Sequence, residues 1–139
     1  MQKLNRIKLL KVHYVPKTLE PGILYVSEEF GAALHLCACG CGNKVSTPIG
    51  PTDWTVKETP IGPTLNPSVG NWQFPCKSHY YIRDGQIEWM GAWTPEQVLA
   101  GRQAEEKRHQ AYFKARARQR GGKLQRLWRW VKNLFDKDH

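Results

Sequence analysis

The fold class that this 139-residue sequence predicts is α+β, a small β-rich domain followed by C-terminal helices. Short alternating segments between Pro and Gly turns fill the first two thirds of the chain, as is typical of antiparallel strands. A helix-start signal then follows at Thr94-Pro95. All four cysteines lie in two short clusters within the β-rich part, which indicates that a zinc ion stabilises it.

The β-rich domain is assigned to residues 1–93, and its strands are short. They are expected at 6–14, 22–27, 32–37, 44–47, 54–58, 79–83 and 86–89. The last two form the clearest hairpin, because Asp84-Gly85 suits a type I′ turn. The segment 59–70 is rich in Pro and Gly and is predicted to be a long ordered loop, which in so small a domain is more often functional than idle.

The C-terminal part is predicted to form two basic helices. Thr94 supplies an N-cap and Gln97 stands at the capping-box position, so a helix is expected over 94–120. Gly121-Gly122 is predicted to stop it, and a basic amphipathic helix or tail follows over 121–139. Residues 1–100 contain nine Lys or Arg against eight Asp or Glu, whereas 101–139 contain twelve against four. The asymmetry indicates a near-neutral body with an appended segment that has its own partner.

Several functional classes are disfavoured by missing motifs. The first residues lead into no apolar stretch of signal-peptide length, and no apolar run approaches the roughly 20 residues that span a bilayer. A cytoplasmic, reducing location is therefore expected, where clustered thiols indicate metal binding or catalysis more often than disulfides. The sequence also lacks the His-Glu-x-x-His motif of metalloproteases, a phosphate-binding glycine loop and the zinc deaminase signature.

The two cysteine clusters have the composition of a single metal site. The simplest ligand set is Cys37, Cys39, Cys41 and Cys76. Four thiolates close a tetrahedral zinc site and make it structural, whereas a set that includes His35 or His79 would leave a position open for water. Gly40 and Gly42 allow the backbone to curl so that consecutive thiolates converge. Metal-free buried thiols and redox chemistry are the alternatives.

A second group of residues has the composition of a nucleophilic site. Ser68 follows a proline and precedes a small, turn-prone stretch that can expose backbone N–H groups for an oxyanion. His79 and His35 lie near the predicted metal ligands in sequence, so the metal would bring both close to Ser68. Asp53 is a candidate for orienting one imidazole, which would give a Ser/His/Asp arrangement like a catalytic triad around a structural zinc. Turn capping by Ser68 and structural hydrogen bonds for each His are the alternatives, and Ser78 is a weaker candidate nucleophile.

Several motifs resemble a small bacterial family long filed as a domain of unknown function. They are LEPGILYVS (19–27), HLCACGCG (35–42), TP (47–48), PTDW (51–54), PSVGNW (67–72) and FPCKSHYYI (74–82). Members of that family recur in bacterial operons that encode ubiquitin-like proteins with their activating and conjugating enzymes. The resemblance, over about residues 15–90, implies a zinc-containing peptidase that trims or removes the modifier. It further implies that the four cysteines are ligands and that His35, Ser68 and His79 belong to the active site.

Two functional hypotheses follow. The first is a hydrolase, a peptidase that acts on the C-terminal peptide of a ubiquitin-like protein and works beside its conjugation enzymes, with Ser/His chemistry around structural Zn²⁺. The second is a non-catalytic zinc-binding module whose basic tail binds nucleic acid, anionic membrane or an acidic partner. The apolar face of the second helix is equally consistent with docking on the body or with dimerisation.

Overall fold

A computed structural model describes residues 3–136, without the side chains of residues 135 and 136. Eight strands form two four-stranded sheets, and one long helix follows them. The predicted α+β class is confirmed. Each predicted strand overlaps an observed strand, and one further strand lies where a loop was expected.

The first sheet carries the strands that lead into and out of the first cysteine cluster. Its strands are β1 (Lys8–Lys11), β2 (Ile23–Ser27), β3 (Ala32–Leu36) and β4 (Lys44–Pro48), in that spatial order. β1 runs parallel to β2, and the other neighbours are antiparallel. Inward-facing residues alternate as a strand period of two requires, with Ala33 and His35 buried on β3 and Val45 and Thr47 buried on β4.

The second sheet is antiparallel throughout. Its strands are β5 (Thr55–Thr59), β6 (Gly62–Gly70), β7 (His79–Arg83) and β8 (Gln86–Trp89), in that order. The predicted hairpin at Asp84-Gly85 is confirmed. Both residues have positive φ, 49° and 75°, as a type I′ turn requires.

The prediction of a long loop over 59–70 was wrong, because this segment forms a tight turn and the longest strand. The Thr59 hydroxyl donates to the Gly62 carbonyl over 2.7 Å and accepts from the Ile61 N–H, which closes the turn. Pro67, which follows a cis peptide bond, lies where the β6–β7 register shifts, between Leu65 and Val69. Proline has no backbone N–H, and it is tolerated where the strand register is irregular. The proline content of this segment was therefore not evidence for a loop.

One hydrophobic core joins the two sheets. Its buried members come from both: Ile7, Leu24, Val26, Ala33, Cys37, Ala38, Val45, Leu65, Val69, Tyr80, Ile82 and Ile87. The connections that contain the two cysteine clusters start from strands of this shared core, and the Asn71 side chain, just after β6, donates to Cys37 Sγ, just after β3.

The C-terminal segment forms a single helix, α1 (Pro95–Asp136). The predicted capping box is confirmed: the Gln97 N–H donates to Thr94 Oγ1 over 3.2 Å, and the Thr94 N–H donates to Gln97 Oε1 over 2.8 Å. The predicted break at Gly121-Gly122 was wrong. A glycine ends a helix by taking a left-handed conformation, which neither glycine adopts, and inside a helix each costs only about 1 kcal/mol.

The chain divides into two compact units, residues 1–98 and 99–139. Residues 137–139 of the predicted second helix lie outside the described residues. Within the described part of the chain, no helix has the length and apolar character needed to cross a bilayer.

Candidate active site and metal centre

The four cysteine sulfurs converge, although they come from two different sheets. Cys37, Cys39 and Cys41 lie in the β3–β4 connection, and Cys76 lies in the β6–β7 connection. The Sγ atoms are all within 4.8 Å of one another. Sγ–Sγ distances are 3.5 Å for Cys37–Cys39 and 3.8 Å for both Cys37–Cys76 and Cys41–Cys76. All four thiols are free rather than paired in disulfides.

Local backbone geometry turns the first cluster back on itself. The Cys37 N–H donates to the Asn43 carbonyl over 2.9 Å, and the Gly40 N–H donates to the Cys37 carbonyl over 3.1 Å. Gly40 and Gly42 have φ values of 88° and 82°, a left-handed region that is costly for other residues. The sequence-based expectation that these glycines let the chain curl is confirmed.

Polar donors point at the sulfurs. Asn71 Nδ2 donates to Cys37 Sγ, Asn43 Nδ2 donates to Cys41 Sγ, and the Cys41 N–H donates to Cys39 Sγ, each over 3.3 Å. Burial raises the pKa of the Cys37 thiol to about 12. A thiolate at this position therefore requires a neighbouring cation. The surrounding N–H groups donate hydrogen bonds to the sulfurs and would help to stabilise thiolates that hold a metal ion.

The donor set passes a geometric test for a metal site. Four thiolates at about 2.3 Å from a tetrahedral zinc ion lie about 3.8 Å apart, close to the separations found here. The cluster therefore fits one metal ion held by four sulfurs, and it does so without His35 or His79.

Ser68 and His79 form a hydrogen-bonded pair on neighbouring strands. Ser68 lies on β6 and His79 on β7, where Gly70 and His79 are register partners. The distance between Ser68 Oγ and His79 Nε2 is 2.9 Å, and that between His79 Nδ1 and the Gly91 carbonyl oxygen is 3.0 Å. A carbonyl only accepts, so Nδ1 carries the proton and Nε2 is left to accept from the Ser68 hydroxyl. This is the tautomer that a general base acting on Ser68 needs.

The position of Gly91 follows from the β7–β8 register. Tyr80 pairs with Trp89, so the next position outward sets Met90 against His79, and the Met90 N–H donates to the His79 carbonyl over 2.8 Å. Gly91 then presents its carbonyl to the imidazole. Sequence reasoning missed Gly91 because a backbone acceptor leaves no signal in the residue type.

Two tryptophans that stack on each other contact the imidazole. The ring centroids of Trp72 and Trp93 lie 5.0 Å and 5.2 Å from that of His79, both in edge-to-face geometry. The two indoles stack on each other with centroids 5.4 Å apart. His79 is buried while Ser68 is half-buried, so the Ser68 side chain remains reachable from solvent. Trp72 lies in one of the motifs of the predicted resemblance, whereas nothing in the sequence pointed to Trp93.

His35 has a different environment from His79. It is fully buried, and its Nε2 lies 2.6 Å from the Tyr80 hydroxyl, which also accepts from the Ala38 N–H over 3.4 Å. Burial lowers the pKa of His35 to about 4, so the ring is neutral. Its Nδ1 has no hydrogen-bond partner among the described residues. The structure thus brings Ser68 to His79 and pairs His35 with Tyr80.

Asp53 and Ser78, the other two candidates, lie elsewhere. Both ring nitrogens of His79 are engaged by Ser68 and Gly91, so the structure does not use Asp53 to orient that imidazole. The Asp53 backbone N–H donates to the Gly50 carbonyl over 3.2 Å, within the connection between β4 and β5. Ser78 is buried, and its hydroxyl is hydrogen-bonded to the Cys37 sulfur, which turns it toward the thiol cluster.

The site thus combines a hydrogen-bonded serine-histidine pair with a cluster of four thiols that could hold a metal ion. A family model described as bacterial ubiquitination-like system serine protease (BubE) matches residues 11–90. The match covers more than half of the 139 residues, and the chain belongs to this family. Searches among curated proteins and solved structures gave no match. The matched region contains Ser68, His79 and all four cysteines, whereas Gly91 and Trp93 follow it.

Proposed function

We propose that this chain is a peptidase of a bacterial ubiquitination-like system in which Ser68 is the nucleophile and His79 is the general base. The observation that carries the proposal is the 2.9 Å hydrogen bond between Ser68 Oγ and His79 Nε2. It lies within a chain whose family is described as serine proteases. Nucleophile and base within hydrogen-bond reach, with the base oriented by a third group, is the arrangement that activates a serine.

The reaction proceeds through an acyl-enzyme. Ser68 Oγ attacks the carbonyl carbon of the scissile bond while His79 Nε2 takes the hydroxyl proton, and the imidazolium returns that proton to the leaving amine. Water then attacks the ester, again with His79 as base, which releases the acid and restores Ser68. The Gly91 carbonyl holds the Nδ1 proton throughout and takes the orienting role that an Asp has in many triads.

The backbone N–H of Ser68 is proposed to bind the oxyanion. The register of β5 with β6 ends at Asn66, and the register of β6 with β7 resumes at Val69. Ser68 lies between these paired positions, and Pro67 has no N–H to offer. The Ser68 N–H is therefore well placed to stabilise the negative charge that develops on the attacked carbonyl.

The metal is proposed to be zinc with a structural role. Cys37, Cys39, Cys41 and Cys76 would hold it, and the spacing of their sulfurs matches a zinc-thiolate tetrahedron. A bound zinc supplies a crosslink between the β3–β4 and β6–β7 connections and leaves no position for substrate. His35 and Asp53 are assigned no step in the reaction.

The proposed substrate is the C-terminal peptide of a ubiquitin-like protein, as part of a system with its own conjugation enzymes. Because β5 pairs with β6 only as far as Asn66, residues 67–70 have no strand partner on that side among the described strands. An extended peptide that added to this edge would run past Ser68 with its backbone hydrogen-bonded. Small side chains next to the scissile bond would suit a site walled by Trp72 and Trp93.

The test is cleavage of a ubiquitin-like precursor by metal-loaded Ser68→Ala and His79→Ala proteins. Each change is expected to lower kcat/KM by about 10³-fold or more. Ser46→Ala, which changes an exposed serine on β4, is the matched control and should keep the wild-type rate. A fluorophosphonate should label Ser68 in the wild type and fail to label the His79 variant at a comparable rate. Unchanged cleavage by folded Ser68→Ala would overturn the proposal.

A further inference from the structure

The second unit of the chain has a charge pattern that the proposed peptidase chemistry does not use. Between residues 107 and 134, ten residues are Lys or Arg and none is Asp or Glu. The whole segment lies on α1, outside the matched family region. Such a run on one helix creates a positive potential that attracts polyanions.

The last part of the same helix adds an exposed apolar face. Its members recur at helical spacing: Leu124, Leu127, Trp128, Val131 and Leu134. At 100° per residue they fall within about 120° of the helix circumference. The exposed fractions are 60% for Leu124, 55% for Leu127 and 72% for Trp128.

Cations border this face and also lie opposite it. Helical geometry places Lys123 and Lys132 on either side of the apolar residues, and Arg126 and Arg129 on the opposite side. A Trp- and Leu-bearing face with a Lys/Arg-rich remainder is the pattern of a helix that lies in the plane of a membrane interface. The flanking lysines would reach lipid headgroups while the apolar side chains enter the acyl boundary.

We propose that residues 107–134 of α1 bind the surface of an anionic lipid bilayer, with the face centred on Leu127 and Trp128 inserted. Charge complementarity selects this occupant. Self-association through the same face would bring two sets of cations together with no Asp or Glu between residues 107 and 134 to pair with them. Nucleic acid would satisfy the cations but leave the exposed leucines and Trp128 in water.

The experiment is cosedimentation of the full chain with vesicles at low salt. One set contains phosphatidylcholine with phosphatidylglycerol, and the other contains phosphatidylcholine alone. Strong binding is expected only to the anionic vesicles, and salt should weaken it. The double variant Leu127→Ala/Trp128→Ala should bind about 100-fold more weakly, because most of the inserted apolar area is lost. Arg126→Gln/Arg129→Gln should bind about tenfold more weakly.

The matched control is Gln119→Ala/Gln125→Ala, which changes two exposed polar positions of the same helix and should bind as the wild type does. The Leu127/Trp128 variant should also cleave soluble substrate at the wild-type rate. Three results would overturn the proposal: no binding to anionic vesicles, equal binding to neutral ones, or no effect of the Leu127/Trp128 change. Binding to duplex DNA in place of vesicles would assign the helix to nucleic acid. A dimer that the Leu127/Trp128 change dissociates would assign the apolar face to self-association.

Discussion

The thiol cluster and the Ser68–His79 pair both use residues of β6, β7 or the connection between them, but different contacts assemble the two groups. The cluster joins two sheets, since three cysteines come from the β3–β4 connection and Cys76 comes from the β6–β7 connection. The pair lies within one sheet, on adjacent strands β6 and β7. Residues 71–78 connect the two sites. The thiol cluster therefore depends on contacts between segments that are distant in sequence, whereas the pair proposed to carry the chemistry depends on the pairing of adjacent strands.

The two buried histidines show the same division. His79 has both ring nitrogens engaged, one by the Ser68 hydroxyl and one by a carbonyl that sets its tautomer. His35 packs on the opposite side of β7 through Tyr80, with one nitrogen unpartnered among the described residues. Tyr80 and His79 are consecutive, and successive residues of a strand point to opposite faces. Strand β7 therefore directs the Tyr80 side chain toward the core and the His79 side chain toward Ser68.

Metal removal is expected to have the largest effect, because it acts on both regions at once. Chelation, or Cys37→Ser, should lower the thermal midpoint sharply and abolish cleavage, since structural zinc sites contribute about 10 kcal/mol or more to folding. Calorimetry and the cleavage assay would measure the two losses, and added zinc should reverse both after chelation. A chelated protein with unchanged midpoint and rate would show that the cluster is not a metal site.

Asn71→Ala should separate the regions by weakening only the cluster. Asn71 is buried and donates to Cys37 Sγ, and loss of such an outer donor typically lowers metal affinity about 10- to 100-fold. Competition with a chromophoric chelator would measure the affinity. Asn43→Ala, which removes the more exposed donor to Cys41, is the comparison and should have the smaller effect. Equal affinities in wild type and Asn71→Ala would contradict the assignment.

Tyr80→Phe tests whether His35 belongs to the core. The change removes the hydroxyl that lies 2.6 Å from His35 Nε2 and that also accepts from the Ala38 N–H. Each buried polar group left unpaired costs about 1–3 kcal/mol. Urea unfolding of the metal-loaded protein would measure this loss, and kcat/KM below the transition should be unchanged. Tyr14→Phe at an exposed position should change stability by no more than about 0.5 kcal/mol. A large loss of activity in folded Tyr80→Phe would place His35 in the reaction.

Trp93→Ala should have the smallest effect and tests positioning within the pair. Trp93 stacks on Trp72 and contacts the edge of the His79 ring, so its loss leaves the imidazole less restrained. We expect kcat to fall about tenfold, because misplacement of a catalytic group slows the chemical step. The thermal midpoint should change little. Trp130→Ala on α1 is the control. A change confined to KM would instead make Trp93 a substrate contact.

Sequence reasoning identified the parts of the site better than their assembly. Residue type and spacing predicted that the four cysteines converge and that His79 lies near Ser68, and the structure brings both sets together, because thiols and imidazoles have few roles in such clusters. The same reasoning could not exclude Asp53 or separate His35 from His79, since the difference between the histidines depends on which face of the sheet each occupies. The loop predicted over 59–70 failed because proline content does not reveal a register shift that accommodates Pro67.

By itself, the sequence determined the local geometry and the chemistry available to this protein: the Asp84-Gly85 turn, the Thr94 cap, the curled cysteine loop and the basic, amphipathic character of the C-terminal segment. These features depend on backbone preferences and on neighbours a few residues apart. Only the tertiary structure decided that Cys76 joins the first cluster and that Gly91, rather than an acid, orients His79. Both outcomes follow from strand pairing between distant segments, whose register no single residue encodes.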